Sequence, residues 1–173
     1  MKDEKKKPVY KKPEHMTFLS GKRMVPKTHD RIVFRGLIDS LEAELIEAQV
    51  LASERGSGEL CANFWEVLDL LRAIMAAEVK ETPLPPPFLF GMEAEEIHRL
   101  SHNSGSISLP AYTQGALAAR INTLRAKVRE AELFAVKVFG PEGEEKPRED
   151  IILALNRLSS ALWYLFLNPN LPA

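Results

Sequence analysis

Two arginines and a glutamate near residue 130 have the types and spacing that best suit chemistry. Arg125, Arg129 and Glu132 follow one another at intervals of four and three residues, so a helix places them on one face. Guanidinium groups bind phosphate oxygens through paired hydrogen bonds. The plainer interpretation is a solvated face with salt bridges, which is the commoner role of such a charged stripe.

A second polar pair lies near the C-terminus. Asn156 and Arg157 flank the apolar seam of the last predicted helix. An amide beside a guanidinium suits a phosphate or a ribose. The alternative is a pair of boundary residues that cap a neighbouring segment. If the polar groups converge, the chain has enough positive charge for a triphosphate, from Lys22, Lys27, Arg125, Arg129 and Arg157.

An N-terminal segment, residues 16–28, is predicted to be a short loop rich in hydroxyl and basic side chains, with Gly21 as its pivot. Its N–H groups, its hydroxyls and Lys22, Arg23 and Lys27 all suit an anion. A plain connector is equally compatible with this composition. No GxxxxGK[ST] or GxGxxG motif occurs, so any nucleotide site is built from bundle surface and a loop.

His98 and His102 are four residues apart on a short predicted helix, a spacing that can ligate a metal. No third ligand is evident nearby, which favours a role in orienting a loop or a ligand. The single cysteine, Cys61, excludes an intramolecular disulfide and a cysteine-based zinc cluster, and is interpreted as a core residue.

Composition sets wider bounds. A chain of 173 residues with 45% hydrophobic residues fits one soluble domain. The net charge of −1 argues against nucleic acid as a partner. No apolar run approaches the ~20 residues that span a bilayer, which argues against a membrane partner. With no signal peptide evident, the expected location is the reducing cytoplasm.

Apolar seams at intervals of mostly four and three residues predict four long helices. The first runs from near Thr28, its predicted N-cap, to the Gly56-Ser-Gly58 segment, and the others lie at about 59–80, 113–139 and 147–167, the last with Pro147 in its first turn. In chain order the predicted seam residues are Phe34, Ile38, Leu41, Leu45, Ala48 and Ala52; Cys61, Phe64, Leu68, Leu71 and Met75; Leu117, Ile121, Leu124, Val128, Ala131, Ala135 and Val138; and Ile151, Leu155, Leu158, Leu162 and Leu165. A short fifth helix is expected at 93–102, after a proline-rich connection. No strand is expected. The predicted fold class is all-α: an up-down five-helix bundle, four long helices plus one short, of ferritin-like appearance. Residues 1–15 are predicted to be a mobile lysine-rich tail, and residues 16–173 a single domain.

Four stretches, in order, resemble the corrinoid adenosyltransferases, most closely the ethanolamine-utilisation type and more distantly the propanediol-utilisation type. They are residues 24–40, 97–102, 124–132 and 150–160. The resemblance covers about residues 16–167. It implies transfer of the 5′-deoxyadenosyl group of ATP to reduced cobalt of cobalamin, with release of triphosphate. It further implies Mg²⁺ on the ATP phosphates and a site between subunits, usually of a homotrimer.

The resemblance also implies roles for individual residues. Catalytic roles fall on Arg125, Arg129 and Asp39, with Asp39 pairing with Arg125 across the subunit boundary. The expected cobalamin pocket is lined by Ile107, Leu109 and Tyr112, beside the loop at 88–90. The expected ATP contacts are Thr17, Ser20, Lys22, Lys27, Arg129, Glu132, Asn156 and Arg157.

This chain departs from the family patterns at several points. It lacks the N-terminal His and Cys cluster of the ethanolamine type, so no metal is expected to bind to protein side chains alone. Ile107 and Ser160 stand where the propanediol type has an aromatic residue and an aspartate. The alternative functions are a non-catalytic corrinoid- or nucleotide-binding bundle and a purely structural one. A reductase, a cobalamin-dependent lyase and association with a bacterial microcompartment remain open.

Overall fold

Five helices dominate the computed structural model, which describes residues 12–21, 23–102, 109–167 and 171. Residues 1–11 of the predicted tail, Lys22 and Ile107 lie outside the described residues. A single 3₁₀ turn at Tyr112–Gln114 leads into the fourth helix. The helices are α1 (Asp30–Glu54), α2 (Gly58–Lys80), α3 (Ala94–His102), α4 (Gly115–Phe139) and α5 (Glu149–Phe166).

The predicted seams form one hydrophobic core. Helix α1 packs against α2 and α4, α4 packs against α5, and α5 also contacts α2, which closes a four-helix bundle. The short α3 packs on α5. Every predicted seam residue of α1, α4 and α5 is buried. In α2 the predicted seam residues Phe64, Leu68 and Leu71 are buried, whereas Cys61 and Met75 are only half-buried. The buried face of α2 also includes residues outside the predicted seam, namely Leu60, Val67 and Ile74.

Two helices begin later than predicted. Helix α1 begins at Asp30, and its N-cap is His29 rather than Thr28, with His29 Nδ1 accepting from the Arg31 N–H at 3.2 Å. The His29 imidazole therefore accepts a hydrogen bond from a backbone N–H that has no partner within the helix. The Thr28 hydroxyl was expected to fill this capping role. Helix α5 begins at Glu149, so Pro147 precedes its N-cap, Arg148, instead of lying in its first turn.

The prediction of no strands was wrong, because the chain contains two small antiparallel hairpins. Strands β1 (Met16–Ser20) and β2 (Arg23–Pro26) replace the predicted N-terminal loop, and β3 (Phe88–Leu89) pairs with β4 (Met92–Glu93). The second hairpin turns through Phe90 and Gly91, at φ 56° and 74°, the left-handed pair that suits a tight hairpin. Strands this short contain too few residues to show a sequence alternation.

The first hairpin contains an irregularity. Phe18 pairs with Met24 and Ser20 pairs with Arg23, so Leu19 is an extra residue without a Cα partner on β2. This arrangement is a β-bulge, which redirects the strand beside it. Gly21, at φ +52°, turns the chain into β2. Separately, none of the helices described is long and apolar enough to cross a bilayer.

Candidate functional site

A hydrogen-bonded chain of three polar side chains joins α4 and α5. Asn156 Nδ2 donates to Glu132 Oε1 at 2.8 Å, and Arg157 Nη1 donates to Asn156 Oδ1 at 2.5 Å. All three residues are half-buried. Each contact fixes the orientation of the Asn156 amide, because its donor and its acceptor serve different neighbours. Residues predicted from two separate stretches are therefore brought together within one chain.

The Nε atom of Arg157 is buried and has no hydrogen-bond partner among the described residues. A buried charged donor without a partner is costly, and native proteins rarely leave one. This guanidinium therefore has donor capacity left for an acceptor such as an anionic ligand.

Arg125 and Arg129 of α4 lie close to each other and have different surroundings. Arg125 is half-buried, with its guanidinium 5.3 Å from the Trp163 ring centre and its Nε donating to Asn122 Oδ1 at 3.1 Å. Burial lowers the pKa of Arg125, and the positive charge of Arg129 lowers it further. Arg129 is exposed. No carboxylate among the described residues pairs with either guanidinium, so both remain available to an anion.

An open groove of about 380 Å³ extends this surface along α4 and α5. Its walls are mostly apolar, with carboxylates at the edges. Gly140 is required at its end, because a Cβ there would lie 2.3 Å from the Val136 carbonyl oxygen. The lining residues are Glu132, Val136, Gly140, Pro141, Glu149, Ile152, Leu153 and Asn156.

Asp39 is exposed and is not brought to Arg125 in the same chain. It follows Asp30 by nine residues, about two and a half turns, so it points to the opposite side of α1. On the side of α1 that faces α4, other acidic residues of α1 form ion pairs with basic residues of α4. They join Asp30 to Lys137, Glu44 to Lys127 and Glu47 to Arg120.

The predicted phosphate-binding residues of the N-terminal segment lie on the first hairpin and just after it. Thr17 and Ser20 are half-buried on β1, and Lys27 is exposed. The backbone of Lys27 donates to the His15 carbonyl at 2.8 Å. The hairpin packs against α2. Among the described residues, no hydrogen bond or ion pair joins the two predicted halves of the site within one chain.

A buried ionic network supports that hairpin, and the sequence analysis did not predict it. Glu78, with a fully buried side chain, accepts from Arg31 Nε and from Arg35 Nε, each at 2.5 Å. Burial alone would lower the pKa of Arg31, but its hydrogen bonds to Glu81 and Glu78 raise it overall. The available signal was an arginine pair at an interval of four residues, near an acid in the last turn of the next helix.

Of the predicted cobalamin pocket, Leu109 and Tyr112 are 77% and 92% exposed. Phe88, in the neighbouring predicted loop, is 59% exposed. These large apolar surfaces are uncovered in the described part of the single chain. Their assignment to cobalamin stays a prediction.

The two histidines of α3 contact each other, with ring centres 4.4 Å apart. His102 Nδ1 lies 2.9 Å from the His98 carbonyl and 3.1 Å from Ser101 Oγ. Among the described residues there is no group of three or more His, Cys, Asp or Glu side chains that could hold a metal ion.

Comparisons with known proteins agree with this arrangement. Residues 9–168 match the cobalamin adenosyltransferase family. The corrinoid adenosyltransferases EutT of Salmonella typhimurium and of Escherichia coli strain K12 are each 35% identical over 167 residues, which is 94% of this chain. The chain spans only 61% of the length of these relatives.

Solved structures share the fold. Two variants of the PduO-type ATP:corrinoid adenosyltransferase from Lactobacillus reuteri, complexed with cobalamin and ATP, superpose with TM-scores of 0.66 and 0.65 at 21% identity. Each match covers 88% of this chain, and 86% and 84% of the other. The match over residues 9–168 spans nearly the whole chain, which therefore belongs to the cobalamin adenosyltransferase family.

Proposed function

We propose that this chain is an ATP:corrinoid adenosyltransferase. It transfers the 5′-deoxyadenosyl group of ATP to the cobalt(I) of reduced cobalamin and releases triphosphate. Family membership and the 35% identity to EutT support this proposal. The observation that carries it is the pair of unneutralised guanidinium groups, Arg125 and Arg129, beside the Glu132–Asn156–Arg157 chain.

The residue types suit the reaction. Cobalt(I) supplies an electron pair to C5′, the C5′–O bond breaks, and that oxygen leaves with the triphosphate. The cobalt centre is itself the nucleophile, so the protein needs no activated serine or cysteine. Its tasks are to position C5′ and to stabilise the charge on the leaving group. In this proposal Arg129 and Arg157 bind phosphate, whereas Glu132 and Asn156 hold the nucleoside.

Mg²⁺ is proposed to accompany the ATP phosphates. Mg²⁺ commonly keeps several waters and binds through substrate phosphates with one or two carboxylates. The described residues contain no preformed cluster of three ligating side chains. The ion's ligands would therefore be mostly phosphate oxygens and water, and it would offset phosphate charge.

The complete site is proposed to form between subunits of a homotrimer. Asp39 is exposed on the side of α1 turned away from α4, and the hairpin that carries Thr17, Ser20 and Lys27 lies apart from Arg129. A second copy would bring its own Asp39 to Arg125 and its own hairpin to the phosphates. A closed ring of identical interfaces provides one such site at each boundary.

The test is a spectroscopic adenosylation assay on the purified chain with ATP and Mg²⁺. Cobalamin is first reduced chemically to cobalt(I), so that no reductase protein is needed. Disappearance of the cobalt(I) absorbance with formation of light-sensitive adenosylcobalamin would support the proposal. ATP left intact alongside unreacted cobalt(I) would refute it.

A non-catalytic corrinoid- or nucleotide-binding bundle is the second candidate function. Titration calorimetry with ATP and with cobalamin separates the two functions. Tight binding without formation of a cobalt–carbon bond identifies the binding module. Absence of binding for both ligands leaves the structural bundle.

A further inference from the structure

A buried carboxylate reaches the N-terminal hairpin through one arginine. Glu78, in the last turn of α2, holds Arg31 and Arg35 of α1 at 2.5 Å each. Of these two arginines, only Arg35 continues to the hairpin, where its Nη2 donates to the Leu19 carbonyl at 2.8 Å. Arg31 donates no hydrogen bond to the hairpin: its Nη1 donates to Glu81 Oε1 at 2.8 Å and its Nη2 to the Glu78 carbonyl at 2.9 Å. Its link to β2 is indirect, through Glu145, which lies 3.6 Å from Arg31 Nη1 and 3.9 Å from the exposed Arg23.

The carbonyl that Arg35 binds belongs to the bulged residue of β1. Leu19 has no Cα partner on β2, whereas its neighbours Phe18 and Ser20 do. A bulge disrupts the ladder locally and needs other partners for its backbone groups. The Leu19 side chain is 1% exposed, so Leu19 is anchored by both its side chain and its carbonyl. The next residue is Ser20, followed by the Gly21 turn.

Burying this carboxylate has a cost that helix packing alone does not explain. Buried ion pairs are often no more stabilising than apolar residues of similar volume, because desolvation offsets the attraction. The pair instead fixes the position of the Leu19 carbonyl relative to Glu78. The planar guanidinium of Arg35 donates from Nε to Glu78 and from Nη2 to Leu19 in fixed geometry. A lysine carries its donors on a single nitrogen at the end of a flexible stem, so it does not hold the two acceptors in this fixed geometry.

We propose that Glu78 and Arg35 are positioning residues that set the bulge at Leu19, and with it the anion-binding face of the hairpin around Ser20. The ligand class is the polyphosphate of a nucleotide. This inference rests on the proposed function, and it assigns to the pair a role in ATP affinity rather than in corrinoid affinity.

The test compares two charge-preserving variants, Arg35→Lys and Arg31→Lys. Each keeps a cation opposite Glu78, so both should fold, which circular dichroism and thermal unfolding check. Only Arg35→Lys loses the contact with Leu19. We expect Arg35→Lys to raise the KM for ATP by about tenfold or more, the size of one lost charged hydrogen bond. Its KM for cobalamin should stay within about twofold, and Arg31→Lys should leave both KM values within the same range.

The proposal is overturned if the KM for ATP is unchanged in Arg35→Lys, or if both variants alter it equally, which would indicate a purely structural network. Calorimetry with ATP and with inorganic triphosphate separates this outcome from failure of the proposed function. A wild-type chain that binds ATP without turnover still tests the pair through the ratio of Kd values. A wild-type chain that binds neither ATP nor triphosphate overturns both proposals.

Discussion

Arg125 and Arg129 occupy the same face of α4 but differ in what removing them would disturb. Arg125 stacks on Trp163 and donates to Asn122, so it contributes to the packing of α4 on α5. Arg129 is exposed, and no hydrogen bond or ion pair within the described residues holds its guanidinium. Loss of Arg129 should therefore affect ligand binding and leave the bundle intact.

We expect Arg129→Ala to lower kcat/KM for adenosylation by at least about 100-fold, the effect of losing one charge-stabilising donor. Its Tm should match that of the wild type. The matched control is Lys127→Ala, which removes a cation two residues away that faces Glu44 of α1. Full activity in Arg129→Ala, or an equal loss in the control, would contradict the site.

Asn156 offers an isosteric probe, because Asn156→Asp keeps the shape but replaces the amide donor to Glu132 with a second carboxyl group. Two carboxyl groups at the present 2.8 Å cannot both ionise at low cost. The variant should therefore lose about 1–3 kcal/mol of stability at neutral pH. Arg157, whose Nη1 lies 2.5 Å from Oδ1 of residue 156, offsets only part of this repulsion. Because the repulsion requires both carboxyl groups to be ionised, the loss of stability should grow as pH rises through the ordinary carboxyl range. Measurements of Tm at pH 4–8 should show the gap to wild type widening with pH, and a constant gap would refute the contact.

At the scale of elements, the start of α5 is fastened to the segment that follows α2. Asp150 accepts from Arg148 Nε and Nη2, each at 2.9 Å, and from the Leu84 N–H at 2.8 Å. Arg148 also donates to the Ala77 and Thr82 carbonyls. This Arg148–Asp150 network joins α5 to the end of α2 and the segment after it, where α2 and α5 have few other contacts.

Burial alone would raise the pKa of Asp150, but the hydrogen bonds from Arg148 and the Leu84 N–H lower it overall. A carboxylate with a lowered folded pKa stabilises the fold above its unfolded pKa, near pH 4, and loses this effect as pH falls through the folded value. We therefore expect Asp150→Asn to cost about 1–2 kcal/mol at pH 7. Chemical denaturation across pH 2–8 should show the two proteins converging in acid. A difference in the free energy of unfolding that stays constant with pH would show that the Asp150 carboxylate does not stabilise the fold in this way.

The sequence predicted those elements whose pattern is local. The seams of α1 and α4 repeat over about five and six turns, and every residue assigned to them is buried. The Asn156–Arg157 pair and the α4 stripe could be placed on helices, and the structure joins them through Glu132. The contacts of Glu78 could not be derived, because they depend on which helices become neighbours. The hairpin at 16–26 was missed because Leu19 and Val25 are the only buried side chains among its described residues.

At the scale of the whole molecule, the proposed site is divided between surfaces that one chain does not join. The stripe of Arg125 and Arg129 faces α5, whereas Asp39 and the first hairpin are supported by α1 and α2. The family-based proposal of a ring of subunits resolves this separation, because each boundary would combine the α4 stripe of one copy with the Asp39 and hairpin of the next.

Mixed oligomers test this arrangement directly. Asp39→Arg and Arg125→Asp chains should each be inactive alone, because each places like charges opposite each other. Coexpressed, they should recover about a quarter of wild-type activity, since a quarter of random boundaries pair two unaltered residues. The control is Arg125→Asp with Arg129→Ala, two changes on the same half-site, which should not complement. Failure of the first mixture to regain activity would exclude a shared site with this pairing.

Because Arg125 lies against Trp163, the fluorescence of this tryptophan should report changes at the proposed site. The chain has two tryptophans, and Trp65 is 54% exposed on α2, away from the site. A Trp65→Phe chain would emit from Trp163 alone, whose indole lies 5.3 Å from the Arg125 guanidinium. Any anion or neighbouring carboxylate that draws this guanidinium away would change the indole's surroundings and its emission. Nucleotide binding and subunit assembly could thus be followed by fluorescence before any corrinoid is added.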